Sequence, residues 1–178
     1  MSATVEELSP RAREVVAAAR ELLEAEGAEA FTMRHVADRL GVRAPSLYKH
    51  VPDKETLEAA IIAEGLAESA ERFEAAVVAD RRRPLRALAA AYRAFALEHP
   101  HLYRLMTERP LRRDLLPPDV EERAAAPLVE AAGSVDRARA VWAFAHGMTI
   151  LELNGRFPPD ADVERAWREG IRAFEPPR

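Results

Sequence analysis

The stretch "FTMRHVADRLGVRAPSLYKHVPDKETLEAAI", Phe31 to Ile61, decides the fold. Thr32 offers an N-cap hydroxyl to a short helix that turns Val36, Ala37 and Leu40 inward. Gly41 stops that helix. Ala44 and Pro45 start another, with Leu47 and Val51 one turn apart on its inner side. Pro52 limits it to about Val51, because the residue before a proline avoids the helical region. Asp53 then caps a long helix with Leu57, Ala60 and Ile61 on one face. Two short helices joined across a glycine make a helix-turn-helix.

The flanks continue in helices. Ser9 and Pro10 open one that carries Val15, Val16, Ala19, Leu22 and Leu23 at helical spacing and stops at Gly27. The helix from Asp53 runs to about Ala79, and "DRRRP" (Asp80 to Pro84) connects it to one over Leu85–Glu98. "HLYRLM" holds a short amphipathic helix, and "LRRDLLPPD" is a proline-interrupted loop. Further helices follow from about Asp119 to Ala132, from Val135 to Leu153 and from Asp162 to Phe174. The chain is therefore expected to be all-α. An N-terminal three-helix helix-turn-helix domain occupies residues 1–60, and a C-terminal helical ligand-binding and dimerisation bundle occupies residues 61–178.

The 178 residues carry a formal net charge of −4 and no cysteine. Disulfides and thiolate chemistry are excluded, and a generic polyanion binder is disfavoured. The polar, acidic start "MSATVEELSPRARE" is no signal peptide, and no apolar run is long enough to span a bilayer. A cytoplasmic protein is expected. Surface charges act over roughly 10 Å, so local charge decides more than the total. Arg34, Arg39, Arg43, Lys49 and Lys54 cluster against only Asp38 and Asp53, with His35 and His50 nearby. Lys49 and Lys54 are the only lysines in the chain.

A helix that reads DNA enters a major groove about 12 Å wide. It needs a small tip, and cationic or hydroxyl donors aimed at the flanking phosphates. Ala44, Pro45 and Ser46 supply the tip; Tyr48, Lys49 and His50 supply a phenol, an ammonium and an imidazole one turn on. Lys54 sits in the first turn of the next helix, where free backbone N–H groups attract phosphate. Thr32 and Arg34 start the helix that crosses the DNA backbone.

The helix from Val135 to Leu153 is apolar almost all round from Ala140 onward. Either it is a central helix wholly buried in one domain, or one side of it takes cover from outside, most simply from a second copy of the chain, and the second reading is the one expected. Trp142, His146, Gly147, Ile150 and, from the last helix, Phe174 are the expected contacts. Tyr92, Phe95, Leu102, Met106 and Phe144 are either plain core or the lining of an apolar effector cavity. His99 and His101 flank Pro100 at a spacing that does not favour a metal, and neither a metal site nor a cofactor is expected. A helical enzyme is the competing class. The chain shows no phosphate loop, no ligand cluster and no nucleophile motif.

Phe31 to Ile61 also resembles the TetR family of bacterial transcriptional regulators, over roughly Arg11 to Ile61. The shared features are the Thr-led first helix, Ala37, Gly41-Val42, Leu47-Tyr48, His50 and the Lys54/Leu57 spacing. Ala44-Pro45 is similar to the tetracycline-repressor branch, whereas Val51 stands where many relatives have Phe. The resemblance implies phosphate contacts at Thr32, Arg34, Tyr48, Lys49 and Lys54. It implies base contacts at Arg43, Ala44, Pro45, Ser46 and His50. "HPHLYRLM" (His99 to Met106) and "VWAFAHGMTILELNGRF" (Val141 to Phe157) more weakly resemble a TetR-type ligand-binding domain of the Trp-His-Gly kind. The resemblance implies a homodimer on a near-palindromic double-stranded DNA operator, acting as a repressor released by a small-molecule effector. A corepressor-dependent or activating regulator of the same fold is the alternative.

Overall fold

The computed structural model describes residues 8–175. The first half of the amino-terminal stretch read above as no signal peptide, residues 1–7, lies outside them. Helix α1, Pro10–Glu26, starts where the Ser9 hydroxyl accepts the Ala12 N–H at 3.2 Å, and ends at Gly27, whose φ of 80° suits glycine. Helix α2, Met33–Arg39, is capped by Thr32, whose hydroxyl accepts the His35 N–H at 3.2 Å. Helix α3 is shorter than its sequence suggests, Ala44–Leu47 rather than on to Val51. Beyond Leu47 the chain tightens, with the His50 and Val51 N–H groups both donating to the Leu47 carbonyl. Pro52 then forbids a further turn.

Helix α4 spans Lys54–Ala79, α5 Pro84–Glu98 and α6 Pro100–Thr107. A single 3-10 turn at Arg113–Leu115 interrupts the loop expected there. Helices α7 (Val120–Ala132), α8 (Val135–Leu153) and α9 (Val163–Arg172) complete an all-α chain among the described residues. None of these helices is long and apolar enough to cross a membrane.

The chain packs as two compact units. The first joins the residues up to Ala67 with His99–Val120. Its core holds Val15, Val16, Leu23, Phe31, Val36, Leu47, Val51, Leu57, Ile61, Leu102 and Tyr103, each nearly or wholly inaccessible. Helix α6 belongs here because it seats on α1 and α4. His99 Nδ1 lies 2.9 Å from Glu24 Oε1, and the His101 ring rests on Gly27. Leu102 and Met106 come so close to Gly65 that a Cβ there would lie 2.7 Å from the Met106 sulfur.

The second unit takes Glu68–Glu98 and the chain from Glu121 onward. Leu85, Ala89, Ala132, Ala138, Val141, Ala145, Trp167 and Ile171 form its core. A polar knot ties α5, α8 and α9. Arg93 donates twice to Glu152, at 2.9 and 2.7 Å, and also to Glu164. The Trp167 indole N–H reaches Glu152 at 3.3 Å. The Arg93 hydrogen bonds hold the Glu152 carboxyl below the usual carboxylate range.

Candidate nucleic-acid interface

Leu47 and Val51, each 1% exposed, fix the segment after α2 to the core of its unit. That anchoring sets which side chains face outward. Arg34, Arg43, Pro45, Tyr48 and Lys49 are exposed, while Ala44, Ser46 and His50 are partly covered. Tyr48, at 51% exposure, is no core aromatic. Thr32 is exposed while its hydroxyl caps α2.

The cations differ in how free they are. Arg39 is held by Glu21 at 3.0 Å and is not a candidate contact. Arg34 lies 4.0 Å from Asp38, a loose exposed pair worth little. Among the described residues the Arg43 and Lys49 side chains have no hydrogen-bond or ion-pair partner. Lys54 lies over the Phe31 ring, 5.1 Å from its centroid, and 3.5 Å from Glu58 Oε1. Arg109 reaches the same Glu58 oxygen at 3.2 Å. The start of α4 is less open to phosphate than its sequence suggests. Asp53 Oδ1 accepts the Thr56 N–H at 2.7 Å, and that hydrogen bond, with the Thr56 hydroxyl, lowers the Asp53 pKa. The arrangement offers a small protruding turn with two unpaired cations and an exposed phenol, the chemistry that grips a phosphate backbone while a helix tip meets base edges.

The five residues expected to line an effector cavity are divided between the two units. Leu102 and Met106 pack in the first unit. In the second, Phe95 is buried beneath the Arg72 guanidinium, 5.4 Å from its ring centroid. Phe144 is wedged between Trp167 and Phe174, with centroids 5.8 and 5.9 Å away. Tyr92 alone of the five lines an apolar cleft, with Phe73, Leu88, Leu128, Val141 and Trp142. The cleft volume is about 30 Å³, room for little more than a water. Of the residues expected at a dimer contact, Trp142 is 50% exposed. His146, Gly147 and Ile150 are partly covered, and among the described residues nothing outside its own helix backbone would meet a Cβ on Gly147 within 4 Å. Phe174 is partly covered and packs on Phe144.

Glu58 and Arg109, which bear on Lys54, escaped the sequence reading. So did the Arg93–Glu152–Trp167 knot. Their partners lie 51, 59 and 15 residues apart in the chain, where no local pattern can signal them.

Comparison with known proteins agrees with this geometry. Residues 15–61 match the model of bacterial regulatory proteins of the tetR family. Residues 85–174 match that of the tetracyclin repressor-like C-terminal domain. An uncharacterized HTH-type transcriptional regulator of Mycobacterium tuberculosis, Rv0681, is 31% identical over 153 residues, covering 79% of this chain and 69% of that protein. The crystal structure of the putative regulatory protein SCO4313 superposes with a TM-score of 0.74 at 25% identity, covering 92% of this chain and 94% of that one. A TetR variant from Acinetobacter baumannii AYE, solved in complex with minocycline, gives 0.66 at 25% identity, over 90% of this chain and 91% of that one. The chain belongs to the TetR family of DNA-binding transcriptional regulators.

Proposed function

We propose that this regulator is a homodimeric repressor that holds a near-palindromic operator and lets go when a small molecule binds. Residues 1–60 carry the DNA contacts, and residues 61–178 bind the effector and the second copy. The observation that carries the reading is the exposed, unpaired pair Arg43 and Lys49 beside Tyr48, on a turn whose inner side is locked by Leu47 and Val51. Lys49 and Tyr48, with Thr32, Arg34 and Lys54, grip phosphates. Arg43, Ala44, Pro45, Ser46 and His50 face bases. Ala44 offers only contact with a thymine methyl, so base choice rests on Arg43, Ser46 and DNA shape.

The dimer reading rests on α8. Helix α8 leaves Val135, Trp142 and Leu151 each 43–50% exposed although it already buries Ala138, Val141, Ala145 and Thr149 in its own unit. Apolar side chains left open on more than one side of a helix favour cover by a second copy. The effector reading draws on the minocycline complex of the Acinetobacter relative. Helix α4, Lys54–Ala79, contributes residues to both units, and the proposed signal runs along it. A coupling of about 1–3 kcal/mol would change operator occupancy by one or two decades. The protein works in the cytoplasm, where the operator is.

Selection of random duplexes by the purified protein, sequenced at two salt concentrations, tests the reading. A palindrome that binds tightly, and less so as salt rises, is the expected result. Enrichment of no sequence at either salt would overturn the operator reading for the protein alone. Enrichment only with added cell extract would make it corepressor-dependent.

A further inference from the structure

Helices α5 and α9 run antiparallel, and ion pairs fix their register at both ends. Arg86 Nε donates to Glu175 Oε1 at 3.0 Å, and Arg93 donates to Glu164. Along this side α5 presents Ala89 and Ala90 between the pairs and Ala94 just beyond Arg93, and their methyl groups are too short to close the space to α9. A groove of about 490 Å³ results. That size falls within the roughly 300–1,000 Å³ of small-molecule sites. Its walls are largely apolar, with Leu97, Trp167 and Ile171 joining the alanines. It shares only Ala89 with the small cleft beside Tyr92.

The charge pattern of the groove is incomplete in one place. Arg86 is answered by Glu175, and Arg93 by Glu152 and Glu164. In the antiparallel register Arg168 lies level with the alanine turn of α5, midway between those pairs. It lines the groove, and its side chain has no ion-pair or hydrogen-bond partner among the described residues. The groove therefore offers one uncommitted cation above an apolar trough, while its only lining acid, Glu164, is engaged. A cationic or strongly polar guest finds no counter-group there. A guest with one negative charge and an apolar body finds both.

We propose that the α5–α9 groove binds a small amphipathic carboxylate, with its headgroup on Arg168 and its hydrocarbon or aromatic body along Ala90, Ala94 and Trp167. The site is independent of operator binding and is tested without DNA. Octanoate, 1-octanol and octyltrimethylammonium are titrated into the full chain by calorimetry, with the tryptophan fluorescence of a Trp142→Phe variant, which leaves Trp167 alone, as a second readout. Octanoate should bind saturably, one per chain, and the ammonium should not. Arg168→Gln should weaken octanoate about tenfold, and Arg168→Lys should retain most of the affinity. Arg165→Gln, on the same helix but outside the groove lining, should change nothing. Ala90→Leu, an exposed helical position, should block the trough and abolish binding without loss of helix content.

Equal weakening by Arg165→Gln and Arg168→Gln would overturn the site, since only diffuse charge would then matter. So would binding of the ammonium as tight as that of octanoate, or no saturation below the concentration at which octanoate forms micelles. Sedimentation velocity supplies the remaining outcome. If octanoate splits a dimer in step with its binding, the groove is a contact between copies, and the proposal falls.

Discussion

Lys54 is the residue on which local geometry and the proposed DNA contact meet. Its ammonium is shared between the Phe31 ring and Glu58, and Arg109 competes for the same carboxylate. Lys54→Ala should weaken binding to all sequences alike and flatten the salt slope by about one unit. Electrophoretic mobility shifts over a salt series read this directly, and an unchanged slope would rule out a phosphate contact. Glu58→Gln should do the opposite, releasing Lys54 and tightening binding to any duplex. If affinity falls instead, Glu58 positions Lys54 rather than restraining it. Asp53 makes a pH prediction. Its pKa is lowered in the folded chain by the Thr56 N–H and hydroxyl. Its contribution is therefore present above the unfolded carboxylate range and lost as pH falls through the lower folded value. Asp53→Ala should cost about 1 kcal/mol at neutral pH, with the gap from wild type narrowing below about pH 4 in urea melts.

At the scale of elements, the caps were legible and the contacts between helices were not. Ser9, Thr32 and Asp53 each accept the backbone N–H three residues on, as their positions before apolar periodic runs imply. The early end of α3 was half legible. Pro52 announced a stop, but the tightening after Leu47 depends on how that leucine docks. The α8–α9 contact illustrates what was hidden. The Phe144 ring lies where a Cβ on Gly170 would be, 2.0 Å from its Cζ, and Trp167 and Phe174 hold the ring from either side. In an isolated helix Gly170→Ala would be favourable by about 1 kcal/mol. Here the overpacking should win, with a net loss of about 1–2 kcal/mol seen as a lower thermal midpoint. A raised midpoint would mean that Phe144 moves aside freely.

For the whole molecule, the helix-turn-helix could be read from Phe31 to Ile61 because every contact that defines it is local. The return of α6 to the first unit could not. It depends on Glu24, Gly27 and Gly65, which carry no mark of their partners His99, His101 and Leu102. Dimerisation belongs to this scale too. Trp142→Glu together with Leu151→Glu should give a monomer in sedimentation equilibrium. Full-operator affinity should then fall at least about a hundredfold, while half-site binding is kept. A variant that remains dimeric would move the contact off α8. The uneven distribution of basic residues has a chemical consequence. Every cation outside the DNA-facing segment is an arginine, and the only two side-chain amines are those of Lys49 and Lys54. An amine-selective acylating reagent, whether an N-hydroxysuccinimide ester in vitro or an activated thioester in a cell, would therefore find no side-chain amine except the two closest to the proposed phosphate contacts. Mild acetylation should abolish operator binding and leave the second unit's side chains chemically untouched. Bound operator should shield both lysines, giving a footprint that mass spectrometry can read from two peptides.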